Sequence, residues 1–494
     1  MGKEVLGKVL KTAIQGAFSH NQQRKAEKAQ AKQAVASVRA NVMVNKQSNN
    51  DPIYPVYGKQ RVGGTRVFVE ASNGSGSVQT IDPQGEATNT EYLNMVVAMC
   101  EGEIDNMTQL WFNDTIVWDS GVNGTLSSLA SGGYELQNFM SGTKYSGANM
   151  YIAWYPGTDS QLTDSTIQTS VGNLVWKTTN RLQGISYLAL KLQADEKFGG
   201  QLPVFNATLQ GKKILDVSTL TEGDTLADIT SFNYTAGADQ NPADVLYDLL
   251  ISDRYGKGLD RDANGNLVVG TNINLLSFQS AKTHSNAARS GSGYPLNGFL
   301  QTEKQIFTNV SEILEACNGI LRFVDGKYEF DIKRKNESTP GSAAFVFNKE
   351  NILSEISLVL PAKSAKLNKV TGNFSNAAEK YNDDLVLFKS DAYILEDNGT
   401  VLETQEDYTL ITDANLVTDL IEQMVEKSRN RYTISFTAAH TALLLHAGQV
   451  VKVRHDDFGW DAFNMKDFRI QELKLTEDNT VEIIATTYNS ALEL

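Results

Sequence analysis

The sequence predicts a β-rich, multi-domain α+β protein. Three observations carry that prediction. Short alternating or β-branched runs, bounded by Gly, Asn and Asp, recur from about residue 55 to the end, as in strands joined by tight turns. Three stretches with helical apolar spacing interrupt them, near Asn241–Gly258, Thr302–Cys317 and Leu416–Arg431. The chain also has 494 residues, 41% of them hydrophobic. At roughly 150 residues per domain that is enough for about three domains with sizeable cores.

The elements follow in order. PVYGKQRVGGTRVFVE (Pro55–Glu70) ends in a strand after a Gly63-Gly64 turn, where glycine permits positive φ. Tyr92–Trp118 reads as strand, turn, strand, turn, strand, with Asn113-Asp114 as the last turn and Thr115-Ile116-Val117 following it. Glu101 and Glu103 share a face if extended, but no other catalytic group lies near them in sequence. They read as edge or turn charges. Residues 119–180 are rich in Gly, Ser, Thr and Asn and read as a surface insertion around the strand Met150–Pro156. Their aromatics, Tyr145, Tyr151, Trp154 and Tyr155, fit a sheet core, with glycan binding as the alternative. Tyr187–Lys191 and Val204–Leu209 are further strands, the second followed by Gly211-Lys212-Lys213.

NPADVLYDLLISDRYGKG (Asn241–Gly258) is the strongest local signal. Asn241 suits the N-cap and Pro242 the first helical position. Asp244 complements the helix dipole. Val245, Leu246, Leu249 and Leu250 make one apolar stripe, Arg254 lies near the end, and Gly256 and Gly258 stop the helix. The following Asp260, Asp262, Asn264 and Gly265 begin like a calcium loop. Thr271 stands where such a loop needs a bidentate Glu, so an Asx-rich turn is the reading.

Thr302 with Gln305 forms a capping box for a second helix, lined by Ile306, Val310, Ile313, Leu314 and Cys317 and ended by Gly319. Ile320–Val324 and Lys327–Ile332 make a hairpin about Asp325-Gly326. Leu367–Phe374 is a strand. Leu416, Leu420, Met424 and Val425 form a third helical stripe, closed by Lys427, Arg429 and Arg431. Tyr432, Ile434 and Phe436 alternate as a strand, and Phe468–Ile470 and Val481–Thr486 are late strands.

Composition limits the chemistry. The two cysteines, Cys100 and Cys317, are far apart and in no C-x-x-C, so neither a disulfide framework nor a zinc site is indicated. The five histidines form no ligand spacing, and His440 and His446 would not share a helical face. Phosphate-loop, zinc-protease and nucleophile-elbow motifs are missing. The expectation is a non-enzyme with no catalytic, cofactor-binding or metal residue. No apolar run reaches a membrane span, and the Lys-interrupted start lacks the core of a signal peptide, which predicts folding in a cytoplasm.

Charge is uneven. Residues 1–50 hold nine Lys/Arg and two acids, and the remaining residues hold 35 basic and 56 acidic side chains. The acidic body argues against a nucleic-acid-binding surface. The basic arm carries Val5/Leu6, Val9/Leu10, Ala13/Ile14 and Ala17/Phe18 at i, i+4 spacing, as a helix would. Three readings of it stay open: a helix docking on a partner protein, a disordered or self-packed arm, and a membrane-surface helix.

Taken together, NPADVLYDLLISDRYGKG, Tyr57-Gly58 with Arg61-Val62-Gly63-Gly64, the Glu101-Gly-Glu-Ile104 segment, Leu202-Pro203-Val204 with Gly211, the helix-plus-hairpin at 302–332, LNKVTGNF (Leu367–Phe374) and Gly448-Gln-Val-Val451 resemble, in order, the hub domains of tailed-phage tail-tip proteins. This is the family of the lambda-like host-specificity protein J. Gln449 stands where the family has Asp. Large members also continue into receptor-binding parts, so direct host recognition is not implied. The resemblance implies two small tail-tube-like β-barrel domains with intervening helix–hairpin α/β domains. Boundaries are expected at 1–50 (helical arm), 51–235 (hub domain with the 119–180 insertion), 236–362 (helix plus hairpin) and 363–494 (second hub domain). It further implies a homotrimer in the virion, capping the tail tube and adapting a six-fold tail to a three-fold tip. Expected neighbours are distal tail or tube ring proteins, tail fibres or spikes, and the tape-measure protein, reached through residues 1–50. DNA passes without specific binding. The alternatives are a glycan-binding adhesin built on residues 119–180 and a tail-associated cell-wall hydrolase.

Overall fold

The computed structural model describes residues 51–82, 87–122, 126–193, 195–198, 203–228, 240–333, 345–362, 365–429 and 432–493. The basic arm, Leu202 and Arg431 lie outside them. The chain divides into two compact units. Unit 1 includes Arg61–Glu103 and Met107–Leu209, and unit 2 includes Tyr54–Gln60, Ile104–Asn106 and Gln210–Leu494. The described residues hold six α-helices and several open sheets, an α+β architecture as the sequence predicts.

Unit 1 is organised on a six-stranded antiparallel sheet. Its order is Thr65–Ser72, Tyr92–Glu101, Ile185–Gln193, Met150–Tyr155, Tyr134–Leu136, Leu126–Ser128. Tyr92–Glu101 is buried along most of its length, as a run of apolar residues covered on both faces must be. Helix α1 (Ser165–Val171) contributes Ile167 and Val171 to a core with Val96, Tyr155, Trp176 and Tyr187. The 119–180 stretch is therefore not a surface insertion. It supplies three of the six strands, and its Gly and Ser residues occupy the connections between them. Asn113 takes φ 52° in the turn before Thr115–Asp119, the position at which the sequence places that turn.

Unit 2 carries α2 (Pro242–Ile251), α3 (Leu275–Gly291), α4 (Ile306–Cys317), α5 (Asp391–Glu396) and α6 (Ala414–Arg429). Helices α2, α3, α4 and α6 share one core with Tyr57, Phe330 and the inward side of a three-stranded sheet, through Val370 and Phe374. That sheet has the order Asn382–Lys389, Lys369–Asn376, Glu403–Tyr408. A second core fills a six-stranded sheet of order Val346–Phe347, Val450–Val453, Lys466–Leu475, Val481–Thr487, Thr433–Ala438, Ser357–Val359. Here Ile434 and Phe436 point inward, as their alternation requires.

Several expectations are corrected. None of the sheets closes into a barrel among the described residues. The second six-stranded sheet ends at edge strands of two and three residues, Val346–Phe347 and Ser357–Val359, which do not pair with each other. Helix α2 is buried all round rather than on one stripe, and it ends at Ile251, before Arg254. Helix α4 starts at Ile306 rather than in a capping box at Thr302. Residues 301–304 form a turn, in which the Gln301 carbonyl accepts from Lys304 N at 3.2 Å and from Asn309 Nδ2 at 2.9 Å. Its C-cap is Asn318 in the left-handed region, and Gly319 already belongs to the next strand. Helix α3 has no counterpart in the sequence reading. The Asp325-Gly326 hairpin forms as expected, with φ 49° and 81°, both positive as a two-residue primed turn demands.

Candidate functional site

Helix α2 is the centre of unit 2, and its two buried acids organise what surrounds it. Asn241 Oδ1 accepts from Ala243 N at 2.9 Å, so the cap and Pro242 start the helix as their chemistry predicts. One turn apart, Asp244 and Asp248 then project into the core.

Asp248 accepts hydrogen bonds from the Tyr57 and Tyr255 hydroxyls at 2.6 Å each and an ion pair from Lys212 Nζ at 2.8 Å. The Lys212 ammonium also donates to the Tyr255 hydroxyl. Burial disfavours the Lys212 charge, but Asp248 and Tyr255 outweigh it and its pKa is raised. Burial first, then Asp248, pushes the Tyr57 hydroxyl well above its ordinary value, so it stays a donor. Three other positions, residues 57, 212 and 255, are thereby tied to the Asp248 carboxylate.

Asp244 lies 2.7 Å from Lys282 Nζ on α3 and accepts from Val217 N at 2.9 Å. Lys282 also pairs with Asp216. One ammonium thus serves two carboxylates. Burial pushes the more enclosed Asp244 up to about 6 against the pull of Lys282. Asp216 is lowered: burial raises it, and the hydrogen bonds from Lys282 and Ser218 overcome that.

The chain after α2 folds back on it. Lys257 N donates to Leu249 O and Leu259 N to Leu250 O. Gly256 must be glycine, because a Cβ there would sit 1.8 Å from Leu249 O. Asp260 is fully buried. It accepts from Gly270 N (2.9 Å), Asn272 N (2.6 Å), Ile273 N (3.1 Å) and the Tyr247 hydroxyl (3.0 Å). Asp262 instead accepts from Asn264 N and Asn266 N at 2.8 Å. The two acids serve different backbone turns, the Asx arrangement expected from the sequence, and do not converge as calcium ligands would.

The other residues weighed from sequence are placed as follows. Glu101 is nearly buried at the end of its strand, not an edge charge, and Glu103 is half-buried in the turn after it. Tyr145, Trp154 and Tyr155 are core residues. Tyr151 and Tyr155 donate to Asp164 Oδ2 at 2.7 and 3.0 Å. Cys100 and Cys317 are both buried and form no disulfide, and burial pushes the Cys317 thiol up to about 12. The α2 network ties its charged groups to one another and to neighbouring segments, Asp248 to Lys212 and both Asp244 and Asp216 to Lys282. Asp216 and Lys282 escaped the sequence reading, and Lys212, read there only as part of a turn, is the last residue of the strand Phe205–Lys212; the one available signal was the pair of acids on an otherwise apolar helix.

No family model matches the chain. It is 22% identical over 478 residues to the baseplate hub protein pb3 of Escherichia phage T5, an alignment covering 88% of this chain. The chain spans about half the length of that relative, 47%. Among solved structures, a chain from the virion of a native gene transfer agent particle superposes with a TM-score of 0.61 at 15% identity. That superposition covers 91% of this chain and 87% of the other. A tail protein from Neisseria meningitidis MC58 aligns with a TM-score of 0.31 at 10% identity, covering 88% of this chain and 97% of its own, too low to bear on the fold. The chain is therefore similar in sequence, over most of its length, to a baseplate hub protein, and it shares the fold of a chain from a gene transfer agent particle.

Proposed function

We propose that the chain is the structural hub of a phage tail tip or baseplate within the virion. The observation that carries this is the alignment along 478 residues with a baseplate hub protein, which spans both compact units rather than one motif. In this reading three copies cap the tail tube, match a six-fold tail to a three-fold tip, anchor tip proteins or fibres, and open for tape measure and DNA. Residues 1–50 reach the tape-measure protein. The α2 network supports such a role, since a hub under mechanical load needs its elements locked to one another. An acidic lumen would let DNA pass without electrostatic adhesion.

Light scattering on the purified protein tests the trimer. A mass three times 54.2 kDa is expected. A monomer that also fails to co-purify with a tail-tube or distal-tail ring protein refutes it. We further propose a non-enzymatic role, which cell-wall clearing in a zymogram would overturn.

A further inference from the structure

Within unit 2, the strand Asn382–Lys389 is one edge of the three-stranded sheet. Among the described residues it pairs along one side only, with Lys369–Asn376, over its whole length of eight residues. Its other side presents a row of backbone N–H and C=O groups to a further strand. Native edges are commonly short, bulged or interrupted by charge, but the middle of this one reads Leu385-Val386-Leu387-Phe388. Val386 and Phe388 face the core and are only partly buried by it. Leu385 and Leu387 lie on the opposite face, 60% and 51% exposed.

Charge sits at the two ends of this strand with opposite sign. Asp383 and Asp384 precede the apolar run and Lys389 closes it. In an antiparallel pair, residues directly opposite share a face, so each register matches a fixed set of side chains. A second copy of the strand placed with Val386 opposite Val386 sets Leu385 against Leu387 and Asp383 against Lys389, each twice by the two-fold axis. Sliding the copies either way loses this match, because it sets Asp383 against Leu387 or Lys389 against Leu385. Lys389 Nζ already lies 2.7 Å from Asp391 Oδ1, but that pair is exposed on both sides, and an ammonium has three donors.

We infer that Asn382–Lys389 is a docking edge for a second copy of this chain, paired antiparallel about Val386. The contact continues the sheet across the two-fold axis, gives the open backbone groups partners and covers apolar side chains on both faces of the strand. It stands apart from the hub reading. A two-fold contact is not the three-fold ring proposed above, and it joins whatever species that ring produces. Its test therefore reads the change of mass with concentration rather than the mass itself, so the two readings fail separately.

The experiment is light scattering on the full chain across a concentration series. One strand pair belongs to the small, transient class of interfaces, so the mass should rise over about 10 µM to 1 mM. Asp383→Lys alone and Lys389→Asp alone each set like charges opposite one another twice and should weaken this association at least about tenfold. An equimolar mixture of the two variants sets unlike charges opposite again and should recover it. Cross-linking checks the register. A Leu385→Cys protein mixed with a Leu387→Cys protein should form an intermolecular disulfide under mild oxidation faster than either alone, the native Cys100 and Cys317 being buried. A mass independent of concentration up to about 1 mM overturns the inference. So does a rise that either charge variant leaves unchanged, a mixture that associates no better than its components, or cross-linking no faster in the mixture.

Discussion

Asp248→Asn removes one charge from the α2 network while keeping its shape, and the structure sets the size of the effect. The amide oxygen can still accept from Tyr57 and Tyr255. Lys212 then loses its only carboxylate within ion-pair distance among the described residues, in a place where both side chains of the pair are largely enclosed. Removing one partner of a buried ion pair costs about 3–5 kcal/mol, because the remaining charge keeps its desolvation penalty. For a unit of this size that is a fall in Tm on the order of 5–10 °C. Lys212→Met is milder, about 2–3 kcal/mol, since Asp248 retains two tyrosine donors at 2.6 Å. In the double variant both charges are gone, so its cost falls short of the sum of the two by on the order of 2 kcal/mol. Urea unfolding followed by tryptophan fluorescence and circular dichroism gives all three values. An Asp248→Asn protein within about 0.5 kcal/mol of the parent, or a strictly additive double variant, refutes the argument that this pair locks the helix to its neighbours.

Other consequences follow from the same helix. Asp244 has its carboxyl raised from 3.8 to about 6, chiefly by burial. A raised carboxyl contributes stability below its unfolded value and loses that contribution as pH climbs through its folded value. The parent should therefore lose stability between about 3.8 and about 6, and Asp244→Asn should flatten this slope by on the order of 1–3 kcal/mol. Asp216, shifted down, acts below that window, so Tm measured against pH separates the two. Gly256→Ala drives a Cβ into a helix carbonyl and should cost about 3 kcal/mol or more. Gly265→Ala, at φ +84° in open space, should cost only roughly 1–2 kcal/mol, and equal costs in denaturation would count against the close-approach argument. Asn241→Ala, which deletes the N-cap bond and the amide's donation to Asn286 Oδ1 at 2.9 Å, should cost about 1–2 kcal/mol in denaturation, and Asn241→Asp, which keeps the cap but loses that donor, should not restore the parent's stability.

Local chemistry was legible in the sequence. The Asn241-Pro242 start, the Asp325-Gly326 hairpin and the apolar stripe of α6 depend on residues within one or two turns of each other, and each formed where its residues specify. Helix α3 was not legible. Its buried positions are Leu275, Phe278, Ala281, Lys282 and Ser285, at helical spacing, but two of the five are polar, so no apolar period stands out. Lys282 sits on a buried face because Asp216 and Asp244 meet it there, a reason that exists only in three dimensions. The same holds for Lys212 and Asp248, 36 residues apart. The Thr302–Gln305 box shows the converse failure: a valid local motif yields when Gln301 and Asn309 offer a competing turn.

The acidic excess needs the same three-dimensional treatment. The chain beyond residue 50 carries 21 more acids than bases, and an acidic lumen would draw on that excess. Part of it, however, faces inward. Among the described residues seven carboxylates are buried, Glu101, Asp164, Asp244, Asp248, Asp260, Asp397 and Glu493, against three buried cations, Arg61, Lys282 and Arg469. The reason is the bonding capacity of the groups. A carboxylate accepts several hydrogen bonds, whereas an ammonium or guanidinium only donates. Buried loops and helix starts present backbone N–H groups that need acceptors. Asp260 satisfies three such amides and Asp164 one, together with two tyrosines. A fold with many capped turns therefore accumulates internal acids for reasons unrelated to DNA. The surface therefore carries fewer acids than the sequence total implies, and repulsion of a passing genome depends on where the exposed acids gather. A structure of the assembled tip with neutral or basic side chains along its channel would refute the electrostatic account of passage.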